Sequence, residues 1–491
     1  MIIHRLPFGL ILVLTMVFFR AITLADSSEF LFDKAFEADK SGKLGEAIQL
    51  LSEAAELDPK NSSVFNNLGV AYCRKKQYDD AIRCFDHALG LSPHTAGIHN
   101  NRGLAYQRKG DLERALMDYK KALELDSMNL EALYNRAILF EKTGSSARAK
   151  ADLKALVTAD HSNVKALLAM GRLNLREGSP DEAMKNFSAA LKLDPACIDA
   201  ISGMGDANFL KNRFDRAVDD YSRVLNFRKQ DAVTLINRCA AFTQMREFED
   251  AIRDCEDAVN LNPETPDGYY NLGNALAASR RDQEATQAFN SAIKLNPQRC
   301  HYFYNRGMSL KRIGQADAAV EDFTKVLEMD PSHVHALNNR GIILWAGNNI
   351  QGAMQDFSRA VDLDGKNARA ICNLGGAYLS IGEVDKAVHV LEKAHRNYPG
   401  DPDIAIVLGD AWIEKKRLDK GISIYRKALE KESDRKKKCQ IHFRIGRALE
   451  DSGNVARALK SYTTALEFAG DSNAIDGLRE KISVLKSRTN Q

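Results

Sequence analysis

Asparagine recurs at a constant interval through most of the chain. The interval, which we call the period, is the number of residues from Asn67 to Asn101. The eight positions are Asn67, Asn101, Asn135, Asn237, Asn271, Asn305, Asn339 and Asn373, and each step between them is one or several whole periods. A side-chain amide both donates and accepts hydrogen bonds, so amides repeated along one face can bind the backbone of an extended peptide without selecting its side chains. The spacing therefore predicts a protein-binding face, with these asparagines as its candidate residues.

A shorter series of basic residues has the same period. Its members are Arg74, Arg108, Lys142 and Arg176, and the next three slots hold Leu210, Gln244 and Ala278. Four cations along one groove favour an acidic or phosphorylated partner segment, which would bind the amino-terminal half of the chain. The alternative is a solvated rim, because basic residues are common on exposed helix faces.

The residue patterns of familiar active sites are absent from the sequence. It contains no HExxH, CxxC or GxSxG motif and no glycine-rich phosphate loop. The eight cysteines lack the rhythm of a zinc site, so we expect buried or half-buried thiols in helices; their spacing does not fix their disulfide state. We therefore predict no catalytic residue, no metal site, no cofactor and no enzymatic activity.

Small residues also recur with this period, in two columns. The first column reads Ala35, Gly69, Gly103, Ala137, Gly171, Gly205, Cys239, Gly273, Gly307, Gly341, Gly375 and Gly409. The second column starts at Ala47 and is alanine through Ala387. Aromatic residues such as Phe85 and Tyr119 follow the second column by one helical turn, and a further small residue follows one turn later. This spacing marks one face of a helix, and small residues at a crossing let two helices approach to about 8–10 Å.

Glycines and prolines mark the ends of these helices. Gly42, Gly110, Gly144, Gly178, Gly314, Gly382 and Gly453 fall midway through their repeats. A glycine there can adopt the left-handed conformation that ends a first helix. Pro59, Pro93, Pro195, Pro263, Pro297, Pro331 and Pro399 recur where the second helix should stop. Each repeat is therefore predicted to be a hairpin of two helices.

The repeated pattern resembles the tetratricopeptide repeat family. The segment from Asn67 to Tyr72, followed by Ala81, Phe85, Ala88 and Pro93, fills nearly every signature slot. The match covers about residues 27 to 470. It departs locally in the fourth repeat, with Leu153 and Leu156, and in the seventh, with Cys239 and Cys255. The resemblance implies an all-α fold, a right-handed α-solenoid (superhelix) of about 13 helical hairpins, with the first helices along its concave side.

The resemblance bears on the candidate residues in two ways. Glycosyltransferase members of the family use a similar asparagine ladder to bind peptides, although asparagine is also the common residue in this slot throughout the family. Other members bind the carboxy-terminal carboxylate of cytosolic chaperones with a clamp of Lys, Asn and Arg. The leading Lys slot of that clamp holds Phe32, Asn66, Asn100 and Tyr134 here, so no such clamp is expected.

The predicted domain boundaries follow the period. Residues 27–433 form twelve in-phase repeats, residues 434–470 form a three-residue insertion and a thirteenth repeat, and residues 471–491 form a capping helix and tail. The capping helix presents Ile475, Leu478, Ile482 and Leu485 as one apolar stripe, which stacked repeats need at an end. We expect the Arg435–Lys438 run of the insertion to be a solvated loop rather than a nuclear-import signal or a membrane-binding surface.

Residues 1–25 differ from the rest of the chain. Leu6 to Phe19 is mostly apolar, Arg5 precedes it, and Thr23-Leu24-Ala25 provides small residues for a peptidase. The run is shorter than the roughly 20 apolar residues of a membrane span, so a cleaved signal peptide is favoured over an anchor. Either would place the repeats in a secretory lumen, in the periplasm or outside the cell, and would allow membrane attachment only through residues 1–25 if uncleaved. A cytoplasmic location is the alternative.

The net charge and the short length of chain outside the repeats restrict the classes of function that the sequence allows. The net charge is only +3, from 69 basic and 66 acidic residues, which argues against nucleic acid as a partner. The repeats leave no stretch for a catalytic domain of about 50 residues or more. We therefore expect a scaffold or adaptor that binds protein or peptide segments in complex assembly or as a chaperone-like receptor. The alternatives are a substrate-targeting subunit of a separate enzyme, such as a glycosyltransferase, and a cytosolic or ciliary assembly adaptor. The oligomeric state is left open.

Overall fold

A computed structural model describes residues 27–470 and 472–489 of the chain. The chain divides into two compact units, 1–241 and 242–491. The described residues contain 27 helices and no strand. This confirms the all-α solenoid expected from the sequence. The predicted signal or anchor, residues 1–25, lies outside the described residues.

The first unit consists of helical hairpins that pack side by side. Its helices are α1 (27–40), α2 (Leu44–Leu57), α3 (Ser62–Arg74), α4 (Tyr78–Leu91), α5 (Ala96–Lys109), α6 (Leu112–Leu125), α7 (Leu130–Lys142), α8 (Ser146–Ala159), α9 (Val164–Arg176), α10 (Pro180–Leu193), α11 (Ile198–Leu210) and α12 (Phe214–Phe227), and α13 (Ala232–Met245) contains the division between the units. Odd-numbered helices are the first helices of their repeats, and within the unit each contacts the next odd-numbered helix from α3 to α11.

The second unit repeats this arrangement. Its helices are α14 (Phe248–Leu261), α15 (Pro266–Ala278), α16 (Asp282–Leu295), α17 (Cys300–Arg312), α18 (Ala316–Met329), α19 (Val334–Ala346), α20 (Ile350–Leu363), α21 (Ala368–Ser380), α22 (Val384–Asn397), α23 (Pro402–Glu414), α24 (Leu418–Lys431), α25 (Arg435–Asp451), α26 (Val455–Phe468) and α27 (Ser472–Thr489). Among the first helices, α15 contacts α17, and α19 to α25 contact in sequence.

The core of each hairpin is a small residue against a large one. A Cβ atom placed on Gly69 would lie 2.7 Å from the Phe85 ring, and one on Gly409 would lie 2.3 Å from the Tyr425 ring. Both rings are almost completely buried. The first helix therefore approaches the second closely only because glycine occupies this position.

The hairpin turns have the predicted backbone. All seven midway glycines have positive φ angles, from 69° at Gly178 to 97° at Gly110. The equivalent slot in other repeats holds a non-glycine residue with φ between 56° and 69°, as at Asn212 and Arg280. The left-handed turn is therefore kept in repeats that lack the glycine signal.

The insertion near residue 434 is helical, so the expectation of a solvated loop was wrong. Asp434 caps α25 by accepting from the backbone N–H groups of Lys436 at 2.6 Å and Lys437 at 3.4 Å. The run Arg435–Lys438 forms the first turn of this helix, which has 17 residues where other first helices have 13 or 14. The Lys437 ammonium pairs with Asp403 at 2.8 Å, which offsets the cost of positive charge at a helix amino terminus.

The last helix packs against the thirteenth hairpin. Leu478 and Leu485 of α27 are buried in one apolar cluster with Ile441, Ile445 and Tyr462. Ile482 packs against the same cluster. No helix among the described residues is long and apolar enough to span a bilayer.

Candidate protein-binding face

The eight predicted asparagines all lie on first helices, and all are partly exposed. They occupy helices α3, α5, α7, α13, α15, α17, α19 and α21. We use the term first-helix face for the surface on which they lie, and we describe it separately in each unit.

The amide nitrogens of most of these asparagines bond to a neighbouring first helix. Asn101 donates to the Asn66 side chain at 3.0 Å, and Asn135 donates to that of Asn100 at 3.0 Å. Each acceptor lies 35 residues before its donor. Asn305, Asn339 and Asn373 donate in the same way to Tyr270, Tyr304 and Asn338, at 3.0, 3.3 and 2.7 Å. Asn237 donates instead to Asp206 at 3.2 Å. These amide groups therefore join successive repeats.

Within the part of the chain that the structure describes, two of the asparagines make no bond to another helix. Asn67 donates to the backbone carbonyl of Ser63, and Asn271 donates to that of Asp267, each at 2.8 Å within its own helix. Across the described residues, the side-chain carbonyl oxygen of Asn339 accepts from Lys311, whereas those of the other seven accept from no protein donor. The face thus presents carbonyl acceptors, with most of its amide donors already engaged.

The four predicted basic residues do not form a uniform series. Arg74 pairs with Asp39, and Arg176 pairs with Glu141 at 2.5 Å, each acid lying on the preceding first helix. Arg108 and Lys142 are exposed, and among the described residues no acid pairs with them. Two of the four charges are therefore neutralised within the protein.

A recurring ion pair, which the sequence interpretation missed, lies behind the asparagines. Arg102 makes two bonds to Asp118, from Nε at 2.9 Å and from Nη2 at 2.7 Å. The same bidentate pair joins Arg136 to Asp152, Arg306 to Asp322 and Arg340 to Asp356. All four aspartates are buried. Each arginine follows a residue of the asparagine column, and each aspartate lies 16 residues further on, in the second helix.

These arginines also reach the preceding hairpin. The Nη1 group of Arg102 donates to Asp86 at 2.6 Å, that of Arg306 to Asn290 at 2.6 Å, and that of Arg340 to Thr324 at 3.0 Å. One guanidinium group therefore connects its own second helix with the second helix before it. Such a fork suits arginine because its five donors are fixed in a plane.

A cleft of about 520 Å³ opens on the first-helix face of the first unit. Its lining includes the apolar side chains of Leu175, Phe209 and Leu210, together with Arg176 and Asn237. Two of the predicted residues are therefore brought together here. Asp206 also lines the cleft, and burial raises the pKa of its carboxyl group although Tyr221 and Asn237 both donate to it.

The expectation of buried or half-buried thiols was wrong for Cys239 and Cys255, which are disulfide-bonded, whereas the other six cysteines are thiols. Burial raises the pKa of Cys73 and Cys84 to about 11 and that of Cys372 to about 12. Such groups carry almost no thiolate at neutral pH and are poor nucleophiles. Among the described residues, no three His, Cys, Asp or Glu side chains are grouped so as to hold a metal ion.

Comparisons with known structures find other helical-repeat proteins. One chain of the APC/C hetero-tetramer Cut9-Hcn1 is 14% identical to this chain. The match covers 93% of this chain and 96% of that chain, with a TM-score of 0.43. Yeast Tom70 is 17% identical, with 87% and 96% covered and a TM-score of 0.40. A tetratricopeptide repeat protein from Parabacteroides merdae is 19% identical, with 58% and 99% covered and a TM-score of 0.38. No curated protein sequence matches the chain.

Family models match the repeats directly. One tetratricopeptide repeat model matches residues 100–164, 168–232, 241–299 and 304–368, which together make up more than half of the chain. Further tetratricopeptide models match residues 60–128 and 344–408, and a TPR repeat model matches residues 40–76. With these matches and the repeated hairpins, the chain belongs to the tetratricopeptide repeat family.

Proposed function

We propose that this protein is a non-enzymatic scaffold that binds an extended segment of a partner protein along its first-helix faces. The observation that supports this most directly concerns seven asparagine side chains: within the described residues their carbonyl oxygens accept no protein hydrogen bond, while their amide groups are held by neighbouring residues. Fixed acceptors at regular intervals suit the backbone N–H groups of an extended chain.

The backbone contacts would supply affinity, and the side chains between them would supply selectivity. In the first unit, the cleft around Leu175, Phe209 and Leu210 provides an apolar site between Arg176 and Asn237. Exposed Leu210 and its neighbour Phe209 are the kind of residue that anchors a partner in a small pocket. We therefore place an apolar side chain of the partner in this cleft.

Asn67 and Asn271 allow a test that spares the fold. Neither side chain bonds to another helix of the described residues, so Asn67→Ala and Asn271→Ala should remove a carbonyl acceptor without loosening the stack. Asn186 is the matched control, because it makes the same type of bond, to Glu182 at 2.7 Å, but lies on second helix α10.

The measurement is the affinity of 12-residue peptides selected from a random library against the full chain. A net hydrogen bond contributes about 0.5–1.5 kcal/mol, so each face variant should weaken binding by roughly two- to tenfold. Asn186→Ala should leave binding unchanged. Peptides whose affinity is the same for both face variants and the wild type would refute the proposed mode of binding.

We also propose that residues 1–25 are a signal peptide or anchor that directs the repeats across a membrane. The apolar run from Leu6 to Phe19 behind Arg5 supports this proposal. Amino-terminal sequencing of the mature chain, with protease protection of fractionated cells, tests it. A chain that retains Met1 and is digested without detergent would contradict it.

A further inference from the structure

Two tyrosines occupy the same slot of consecutive first helices in the second unit. Tyr270 lies on α15 and Tyr304 on α17, both are partly exposed, and we call them the tyrosine pair. Each ring packs on a buried phenylalanine of its own hairpin. The ring centroids of Tyr270 and Phe289 are 6.0 Å apart. Those of Tyr304 and Phe323 are 5.8 Å apart. The two tyrosine rings are therefore held at fixed positions on the first-helix face.

The hydroxyl groups of the tyrosine pair are available as hydrogen-bond donors. The Asn305 amide donates to the Tyr270 oxygen at 3.0 Å, and the Asn339 amide donates to the Tyr304 oxygen at 3.3 Å. Within the described residues, neither hydroxyl proton is donated to a protein acceptor. The Asn339 carbonyl oxygen already accepts from Lys311 at 2.9 Å. Because a phenol both accepts and donates, each tyrosine keeps one donor for a ligand.

Histidine rings extend the aromatic surface beside the tyrosine pair. The His301 ring packs edge-on against Tyr270, with 4.8 Å between ring centroids, and the His333 ring lies 4.9 Å from that of Tyr304. Burial lowers the pKa of His301, which keeps that ring uncharged at neutral pH. The Nδ1 atom of His333 accepts from the backbone N–H of Ala336 at 3.1 Å, which fixes the orientation of the ring. The tyrosine pair therefore belongs to a row of rings against which apolar groups of a ligand can pack.

We infer that the tyrosine pair binds a proline-rich stretch of the partner segment. The inference rests on the proposed function and gives its ligand a chemical class where the segment passes α15 and α17. Proline has a backbone carbonyl acceptor but no N–H group, so it matches two hydroxyl donors without leaving an amide of the ligand unpaired. Proline-rich segments dock in grooves lined by aromatic side chains, so the row of rings suits the same ligand.

The dimensions of a proline-rich segment also fit this surface. A polyproline II helix has three residues per turn and rises about 3.1 Å per residue, so equivalent groups recur roughly every 9 Å. Packed helices lie about 8–10 Å apart, and α15 contacts α17. Every third residue of the segment can therefore meet one tyrosine after the other. Because such a segment already has this conformation when free, its binding costs little conformational entropy.

The first test uses two 12-residue peptide libraries that are identical except for four fixed central residues, which are all proline or all alanine. The full chain should retain the proline library at least tenfold better than the alanine library. The double variant Tyr270→Phe with Tyr304→Phe keeps both rings and removes both hydroxyl donors. It should reduce the ratio of retention to less than threefold.

The double variant should leave the packing of the helices intact, because both asparagines keep a second acceptor. The Asn305 amide also donates to Asn274 at 2.8 Å, and the Asn339 amide also donates to the backbone carbonyl of His335 at 2.9 Å. Tyr134→Phe is the matched control. Tyr134 is a partly exposed tyrosine in the same slot of α7, with no tyrosine in the slot before or after it. Its substitution should leave the ratio unchanged.

The outcomes separate the inference from the proposed function. Equal retention of the two libraries, better retention of the alanine library, or a tenfold preference that survives the double substitution would overturn the proline site while peptide binding stands. Failure of both libraries to bind would overturn the proposed function.

A second test locates the site directly. Acetylated decaproline is titrated into the full chain labelled with 3-fluorotyrosine, and Tyr270→Phe, Tyr304→Phe and Tyr134→Phe assign the three fluorine signals. Decaproline should shift the signals of Tyr270 and Tyr304 and leave that of Tyr134 in place. A (Gly-Ser)5 peptide of the same length should shift none of them. No shift with decaproline, an equal shift at Tyr134, or the same shifts with both peptides would overturn the inference.

Discussion

At the scale of single residues, some repeats contain a buried arginine–aspartate pair and others have apolar residues in the same two positions. Arg340 and Asp356 form such a pair, whereas the equivalent positions of the next repeat hold Leu374 and Val390. Desolvation opposes the pairing: burial raises the pKa of Asp322 even though Arg306 donates to it. A buried ion pair of this type adds little net stability over apolar side chains, but breaking it is costly.

Arg340→Leu should therefore lower the free energy of unfolding by about 3–5 kcal/mol, because it strands a buried carboxylate. The double variant Arg340→Leu with Asp356→Val copies the pair that the next repeat already uses. It should recover most of the loss, since no unpaired charge remains. Urea unfolding followed by circular dichroism measures both. A double variant less stable than the single one would contradict this account.

Asp206 provides a prediction about pH at the same scale. Burial raises the pKa of Asp206 in the folded protein above its unfolded value near 3.8. The neutral carboxyl group therefore stabilises the fold relative to the charged carboxylate, and this stabilisation is lost as the pH rises through the folded pKa. Asp206→Asn keeps acceptors for Tyr221 and Asn237 and removes the charge. It should be more stable than the wild type at pH 7, and the difference should vanish as pH falls below about 3.8.

Asp160 is the control, because its pKa is shifted in the opposite direction from that of Asp206. Hydrogen bonds from Ser162 lower its pKa, so Asp160→Asn should be no more stable than the wild type at pH 7. Thermal unfolding between pH 3.5 and 7.5 compares the two variants. A gain from Asp206→Asn that is independent of pH would show that its charge is not the cause.

At the scale of helices, the packing within a hairpin depends on a match between a small and a large residue. A Cβ atom on Gly341 would lie 2.6 Å from the Phe357 ring. Gly341→Ala should cost about 1–3 kcal/mol through overpacking. The cost should fall in a Phe357→Leu background, because Ala137 already faces Leu153 in the fourth repeat.

A double-mutant cycle in urea measures this coupling. Gly90→Ala is the control, since Gly90 lies in α4 with no atom within 4 Å of an added Cβ; this change should stabilise the helix slightly. Equal costs for Gly341→Ala in both backgrounds would show that the aromatic ring does not limit the approach of the helices.

Helices, turns and the buried aromatic column could be predicted from the sequence, because each depends on one residue type in one slot. The turn glycines and Phe85, Tyr119 and Phe187 are confirmed in this way. The arginine–aspartate pairs were missed because recognising one requires two sequence positions, in different helices, to be considered together. Arg precedes the small-residue column only in some repeats, and in those repeats the partner Asp lies in the following helix.

The bonds of the asparagines could not be predicted from their own column. Their acceptors are different residue types, such as Asn66 and Tyr270, 35 residues earlier, and choosing among them requires the spacing of neighbouring helices. The helical insertion was mispredicted for a different reason. The run of four basic residues suggested a loop, but the cap from Asp434 and the Lys437–Asp403 pair stabilise the additional turn of α25.

At the scale of each unit, the described helices mainly contact the next helix or the one after it, so stability should be local. Removing residues 471–491 takes away Leu478 and Leu485 and exposes the apolar cluster around Ile441 and Tyr462. Amide exchange in α25 and α26 should become at least tenfold faster, whereas exchange in α15 to α18 should not change. Hydrogen exchange with mass spectrometry measures this, and uniform acceleration throughout the unit would contradict local stability.

The arginine that reaches back to the preceding hairpin has a consequence for how such a chain can change in length. The helices of successive repeats have nearly the same lengths, so a recombination event could delete or duplicate one whole repeat without breaking the helical rhythm. Arg306 and Arg340, however, require a polar side chain at Asn290 and Thr324 respectively. An exchange that placed an arginine-containing repeat after an unsuitable neighbour would leave that donor unmatched. The modules are therefore interchangeable in shape but not in sequence, and the number and order of repeats are constrained by pairwise compatibility.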